Sequence, residues 1–399
     1  MSTAPGPLAG LRVLDLSTLF AAPQLAALLG DLGAEVVKLE PPAGDPLREM
    51  GARREGRSLV WAVTARNKRS ITLDLARAEG RALLQRLLPG FDVVVENLPA
   101  ATLERWALRY EDLAARNPRL VVVSVSCYGR TGPYRDRPGN GTLAEAFGGL
   151  THMTGEAGGP PLLTSLALGD LLAAVWGAFG ALAACYQRDA RGGAGQHVDV
   201  SMYEPILQLL VQGVPEYDQT GRVPRRTGNR LPGTAPRNLY RSRDGHWLAL
   251  SAATDRLVER LLGLLGAATP EARARFGTAP ARREHADELD ALVARWLAER
   301  DAGAAQAELL AAGIPVAPVN DVAELLADPH VAARGSVCAV ADPVLGALRM
   351  VAPTPRLGAT PGSIRSPGPE LGAHNAEIYG GWLGLGSEEL AGLRAAGVI

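Results

Sequence analysis

Four short Val-rich runs, spaced by helix-like stretches, constrain this chain more than any other feature. They are Leu11–Leu16 (LRVLDL), Glu35–Glu40 (EVVKLE), Phe91–Glu96 (FDVVVE) and Leu120–Ser126 (LVVVSVS). Branched apolar residues in near-continuous runs suit strands buried on both faces. Between the runs, Pro23–Leu32 reads as a helix ending near Gly33. Glu79–Leu88 reads as another, stopped by Pro89-Gly90, and Tyr110–Arg116 as a third. Strands alternating with helices predict an α/β fold, a parallel sheet covered on both sides. Right-handed crossovers make it a Rossmann-like half.

Beyond this half lies a loop rich in Gly, Pro and Arg, Gly129–Gly141, with a helix from about Thr142. A second loop, Gly155–Leu163, precedes an apolar helix that follows Gly169-Asp170 and ends near Arg188. A turn then leads to a short strand at His197–Val200. Residues 213–238 have the Pro, Gly and Arg content of a linker or active-site loop. The texture changes after them. Trp247–Ser251 and Ile314–Val319 read as strands, and Asp255–Leu265, Arg282–Glu299 and Gly303–Ala312 as amphipathic helices. A smaller α+β domain is therefore expected at 225–322. Residues 323–399 carry short strands and many Pro-Gly turns.

The 399 residues suffice for two or three domains. Forty-one basic against 42 acidic residues leave a net charge of −1, which argues against nucleic acid or an anionic membrane as partner. Three isolated cysteines form no CxxC and no disulfide framework, so a reducing cytoplasm is expected. The N-terminus lacks the basic and apolar blocks of a signal peptide. The longest uncharged apolar run, Leu171–Tyr186, is 16 residues, short of the roughly 20 that span a bilayer, and is expected to be a buried helix.

Common site motifs are missing: there is no GxxxxGK[ST], HExxH or GxSxG. Gly139-x-Gly141-x-x-Ala144 is a loose dinucleotide pattern, but it follows the fourth strand rather than the first. The six histidines show no metal-ligand spacing. Asp170 precedes the apolar helix, where an N-cap belongs. Capping and catalysis are compatible, because the positive helix end favours an anion and an ionised carboxylate in a dry cleft can attack an activated acyl group. Both readings stay open on local pattern. Asn67-Lys68-Arg69-Ser70 reads as a basic turn entering a strand-like ITLDL, either solvated or phosphate-binding. Arg130, Arg135 and Arg137 follow the fourth strand and either face an anion or belong to a solvated loop. Cys127 closes an apolar strand and reads as a buried, inert thiol.

Several segments, in order along nearly the whole chain, resemble the class III CoA-transferases. They are PLAGLRVLDLS (7–17), LLGDLGAEVVKLEPPAGDPLR (28–48), RNKRSITLDL (66–75), DVVVENL (92–98), VVVSVSCYGRTGPYRDRPG (121–139), ALGD (167–170) and GGAGQHVDVSMYE (192–204). Weaker matches continue through YRSRDGHWLAL (240–250), GIPVAPVND (313–321) and LGAHNAEI (371–378). The resemblance implies an interlocked homodimer, with a large domain built from both chain ends, 1–224 and 323–399, and the small domain between them. It implies that Asp170 is the nucleophile of a CoA transfer through an aspartyl anhydride and an aspartyl-CoA thioester. CoA and acyl-CoA enter as substrates, with no tightly bound cofactor and no metal. The CoA-contacting loops of the family map onto Phe20, Ala21, Leu73, Asp74, Leu75, Asn97, Leu98, Arg105, Arg137 and Pro138.

Departures from the family bear on the substrate. Formyl-CoA transferase has a Gln where this chain has Phe20, and a Tyr-Glu pair where it has Asn140-Gly141. Phe20, Asn140 and Gly141 are therefore the expected substrate pocket, suited to a larger or more apolar acyl group than oxalate. A family lysine that contacts CoA is Ala76 here, with Arg77 beside it. The family's glycine-rich lid has its nearest counterpart at Gly228–Gly233. The racemase branch of the family pairs the Asp with a His, and that position is Asn140. Racemisation needs an acid and a base on opposite faces, so it is the lesser alternative, alongside an intramolecular CoA-transferring isomerase.

Overall fold

The computed structural model describes residues 6–399. Six parallel strands form the main sheet: β1 (Arg12–Asp15), β2 (Glu35–Glu40), β3 (Lys68–Thr72), β4 (Val93–Glu96), β5 (Val121–Ser126) and β6 (His197–Ser201). Their spatial order is β3-β2-β1-β4-β5-β6. This is the doubly wound order, whose direction of winding reverses between β1 and β4.

Period-two alternation within the strands builds two apolar layers. Val13, Val36, Val93, Val95, Val121 and Val123 belong to one. Leu14, Val37, Val94 and Val122 belong to the other. Helices α1 (Ala21–Asp31) and α3 (Leu168–Ala190) cover the first layer, with Leu25 and Leu29 meeting Ala173, Ala174 and Ala181. Helix Ala78–Leu87 and residues from the chain's end, including Ile378, Tyr379, Val398 and Ile399, cover the second. The end of the chain also shields the outer edge of β3. Thr72 N donates to Asn375 Oδ1 at 2.9 Å, and Ser70 N to His374 Nδ1 at 3.1 Å. An edge strand covered in this way is closed to further pairing.

Two compact units divide the chain. The first comprises residues 1–151, 163–218 and 333–399, and the second comprises 152–162 and 219–332. In the second unit, an antiparallel sheet of Arg237–Arg241, Trp247–Ser251 and Val316–Pro318 packs on helices through Leu248, Leu250, Leu261, Trp296 and Leu309. The expected helix Arg282–Glu299 is broken at His285 into Ala279–Glu284 and Ala286–Ala298. The segment 323–332 belongs to this second unit, and the return to the first begins at 333.

Two expectations are corrected. The basic turn is not a turn: Lys68, Arg69 and Ser70 lie within β3. Lys68 is buried and donates to Asp15 Oδ2 at 2.8 Å, while the partly exposed Arg69 pairs with Glu35, so the solvated-turn reading does not hold. The apolar helix is longer and less buried than expected. It spans 23 residues, long and apolar enough by composition to cross a membrane. Its Ala173, Ala174, Gly177, Ala181 and Ala184 face the core. Val175, Trp176, Phe179 and Tyr186 are exposed, because the helix is apolar all round and the sheet covers one side.

Candidate active site

Open α/β sheets place ligands outside the carboxyl ends of their strands, at the switch point. Here that point lies between β1 and β4, and side chains tie the loops together across it. Thr18 N donates to Asn97 Oδ1 at 2.9 Å, and Asn97 Nδ2 returns a bond to Thr18 O at 2.8 Å. Leu19 sits at φ +67°, a strained conformation for a branched residue, and its N–H donates to Asp45 Oδ1 at 3.2 Å. Phe20 and Ala21 follow as the N-cap and first residue of α1.

Beneath this loop lies a buried ionic group that sequence reasoning missed. Asp15 meets Lys68 and Lys38, and Lys38 reaches Asp45 at 3.2 Å and the carbonyl of Ser17. Burial opposes ionisation of Asp15, but the two lysines outweigh it and hold the carboxyl below its ordinary range. The signal was present in the sequence: Asp15 in LRVLDL and Lys38 in EVVKLE are charged residues at interior positions of largely apolar runs.

A cavity of about 330 Å³ opens beside β4 and β5. Asn97, Leu98, Cys127, Arg130, Arg137 and Pro138 are on its wall. The three arginines differ. Arg130 is spent inward, donating to both oxygens of buried Glu96 at 2.8 and 2.9 Å and to Leu98 O at 2.9 Å. Arg135 pairs with Asp136 at the surface. Arg137 lies over the Tyr134 ring at 3.4 Å and is exposed, so it is the cation most available to an anionic ligand. Arg105 is exposed on the next helix, Ala100–Trp106.

The residues after β3 fit less simply. Leu73 and Leu75 are buried in the second apolar layer. The Leu73 and Asp74 amides are already bound to Glu40 O and Val398 O.

Asp170 is not an N-cap. Helix α3 begins at Leu168 and is preceded by Ala167, which makes no side-chain cap, so Asp170 occupies the third helical position. Its surroundings are close. Helix α2 (Gly141–Phe147) starts with Asn140 as N-cap, whose Oδ1 accepts from Leu143 N at 3.2 Å. The Asp170 carboxylate rests on Gly141: a Cβ there would overlap Oδ2 and lie 2.7 Å from Cγ. Glu145, also missed in the sequence, is buried on α2, and its Oε1 accepts from Gly169 N at 3.1 Å. Asn140, Gly141 and Asp170 therefore come together, and Cys127 joins them to the cavity. The Cys127 Sγ lies 3.6 Å from Asn140 O, and burial first, then the Asp170 charge, raises its pKa.

Burial pushes the Asp170 pKa from 3.8 to about 6, and the Glu145 charge adds to the effect. At neutral pH the group is an ionised but poorly solvated carboxylate, a combination suited to nucleophilic attack. The shift also bears on stability. Between 3.8 and about 6 the folded protein holds a proton that the unfolded chain has lost. The group's contribution to stability is full below its unfolded pKa and is lost as pH rises through about 6. Asp170→Asn should therefore stabilise the protein at pH 8, by on the order of 2 kcal/mol, and not at or below pH 4. Urea midpoints at the two pH values check this; an equal gain at both would refute the shift.

Fold and site together define an open-sheet enzyme with a desolvated carboxylate at a helix start, beside a cavity rimmed by the exposed Arg137. Comparison with known proteins narrows this class. The model of CoA-transferase family III matches residues 8–375. Succinyl-CoA–D-citramalate CoA-transferase from Chloroflexus aurantiacus is 46% identical over 397 residues, covering 99% of this chain and 98% of that protein. The beta subunit of succinyl-CoA–L-malate CoA-transferase from the same organism is 38% identical, over 100% and 99%. The crystal structure of a CAIB/BAIF family protein from Brucella suis superposes with a TM-score of 0.84 at 32% identity, over 95% of this chain and 100% of that one. The chain belongs to CoA-transferase family III. It is an enzyme of the class III CoA-transferases, which use CoA thioesters as substrates.

Proposed function

We propose that this enzyme moves CoA from succinyl-CoA to a hydroxydicarboxylic acid of the citramalate or malate type, with Asp170 as the covalent carrier. The observation that carries the mechanism is the desolvated Asp170 carboxylate at the start of α3, with a pKa near 6, against the bare Cα of Gly141. The substrate class follows the relatives' names. In the proposed course, an Asp170 oxygen attacks the thioester carbonyl, giving a mixed anhydride and CoA thiolate. The thiolate attacks the Asp170 carbonyl, forming an aspartyl-CoA thioester and freeing succinate. The acceptor carboxylate repeats both steps in reverse and leaves as its CoA thioester, restoring Asp170. One thioester replaces another, so the exchange runs near equilibrium.

CoA itself is proposed to lie along the cavity beside β4 and β5, with Arg137 and Arg105 toward its phosphates and Asn97, Leu98 and Pro138 along its length. Phe20, Asn140 and Gly141 border the acyl end. The proposed assembly is an interlocked cytoplasmic homodimer with its large domain made of both chain ends. The exposed Val175, Trp176, Phe179 and Tyr186 on α3 support it, since a second copy would cover them. Racemisation is the weaker reading because Asn140, in the place of a second proton-transfer group, caps α2 instead.

Incubating the purified protein with succinyl-CoA and either D-citramalate, L-malate or glutarate tests the substrate assignment. Mass analysis should show an acceptor-derived CoA thioester with the hydroxydicarboxylates. No product with either acid, together with deuterium uptake into a 2-methylacyl-CoA, would replace the proposal by the racemase reading.

A further inference from the structure

The start of α3 has an unusual solution to a common problem. The first amides of a helix have no partner inside it, and a Ser, Thr, Asp or Asn side chain just before the helix usually supplies one. Ala167 stands at that place and supplies none. The partner comes instead from 24 residues upstream. Glu145 Oε1 accepts from Gly169 N at 3.1 Å, and Glu145 Oε2 accepts from Thr164 Oγ1 at 2.7 Å. The Thr164 hydroxyl is 2.8 Å from Leu166 O as well, so the turn entering α3 hangs on this one carboxylate.

The carboxylate is 3% exposed, carried by a helix whose other buried residues are Gly141 and Ala144. An ionisable side chain so buried is costly unless its bonds are needed. The same short helix supplies Gly141, on which Asp170 rests. Gly169 in turn approaches Gly141 so closely that a Cβ on Gly169 would lie 2.8 Å from Gly141 O. Helix α2 thus holds the start of α3 at two points, Asp170 by contact through Gly141 and Gly169 by the hydrogen bond to Glu145.

We propose that Glu145 is a positioning residue for CoA transfer: it replaces the missing N-cap of α3, fixes the Gly169 peptide, and keeps a second negative charge beside the nucleophile. This rests on Asp170 being that nucleophile. The hydrogen bond sets direction, and the charge sets basicity. Glu145 is among the causes that raise the Asp170 pKa, after burial. The other titratable group that senses Asp170 is Cys127, after β5. From the helix Tyr203–Leu209, the apolar Ile206 packs toward Gly148 and Gly169, and Glu204 is taken up by Ser201 Oγ at 2.6 Å. Glu145 is therefore the neighbouring carboxylate whose removal alters the charge at Asp170 with the least change of shape.

Two variants separate the roles. Glu145→Gln keeps an oxygen for Gly169 N and an amide that Thr164 can accept from, but has no charge. Glu145→Ala removes both. Steady-state CoA transfer from succinyl-CoA would be followed from pH 5 to 9, alongside hydroxylamine-sensitive labelling of Asp170. Glu145→Ala should lower kcat about 100-fold, with the KM for succinyl-CoA changed less than about threefold. Glu145→Gln should recover most of that loss at neutral pH and move the acid limb of the profile to lower pH. A purely structural glutamate would leave the acid limb in place. A wild-type acid limb in Glu145→Gln, or a kcat in folded Glu145→Ala within twofold of wild type, would overturn the proposal while the wild-type label on Asp170 stands. Absence of that label in the wild type would overturn the nucleophile assignment and this inference together. If Glu145→Ala does not fold, the acid limb of Glu145→Gln decides alone.

Discussion

Asp170→Ala should abolish CoA transfer, with a loss of at least about 10³-fold in kcat, while leaving the fold intact. Loss of fold is not expected because the carboxylate supports little structure. It accepts from its own backbone N–H and rests on Gly141, whereas the turn before α3 is held by Glu145. Removing a desolvated charge also costs nothing in burial. Intact-protein mass after incubation with succinyl-CoA separates the outcomes. Wild type should carry an adduct that hydroxylamine removes, and the variant should carry none. Wild-type kcat/KM should fall on the acid side with a midpoint near the carboxyl's value of about 6, as protonation removes the nucleophile. A variant retaining a tenth of wild-type turnover would exclude Asp170 as the covalent carrier.

The second large effect is expected at a residue with no functional group. A methyl at Gly141 would overlap Asp170 Oδ2, 2.7 Å from Cγ and 3.1 Å from the backbone N. Gly141 opens α2 without a positive φ, so its backbone accepts alanine. The carboxylate is the movable partner, and it must swing away from the place it occupies. Gly141→Ala should therefore keep its thermal midpoint within a few degrees and lose about 100-fold in kcat, the order expected when a reacting group is displaced by an ångström. Gly303→Ala is the control: nothing lies within 4 Å of its Cβ position, and its activity should match wild type. Gly141→Ala with more than half of wild-type activity would show that the pose of Asp170 against Gly141 is not the reactive one.

Much of the architecture was readable from local pattern, for a physical reason. A strand buried on both faces has little choice but to be apolar throughout, so β1, β2, β4 and β5 declared themselves as Val-rich runs. The start of β3 did not, because Lys68 and Arg69, ahead of the strand-like ITLDL, look like a solvated turn until Asp15 and Glu35 stand beside them. The exposed side of α3 was likewise hidden, since an all-apolar helix gives no sign of which face the sheet will cover.

The site divides the same way. Local pattern marked Asp170 only as a carboxylate before an apolar helix, open between cap and nucleophile; its expected role, and those of Asn97, Leu98, Arg137 and Pro138, came from the resemblance to the class III CoA-transferases. Glu145 was not legible, because its partners, Gly169 and Thr164, are 24 and 19 residues away. Nor did local sequence distinguish Arg130 from Arg137. Tertiary structure decided that, by placing buried Glu96 against one and the face of Tyr134 against the other. The sequence by itself determined the strands β1, β2, β4 and β5, because burial on both faces dictates residue type along a strand. Only the tertiary structure decided how basic Asp170 is and which way it points. Desolvation, a neighbouring charge and a glycine contact all depend on what packing brings within a few ångströms.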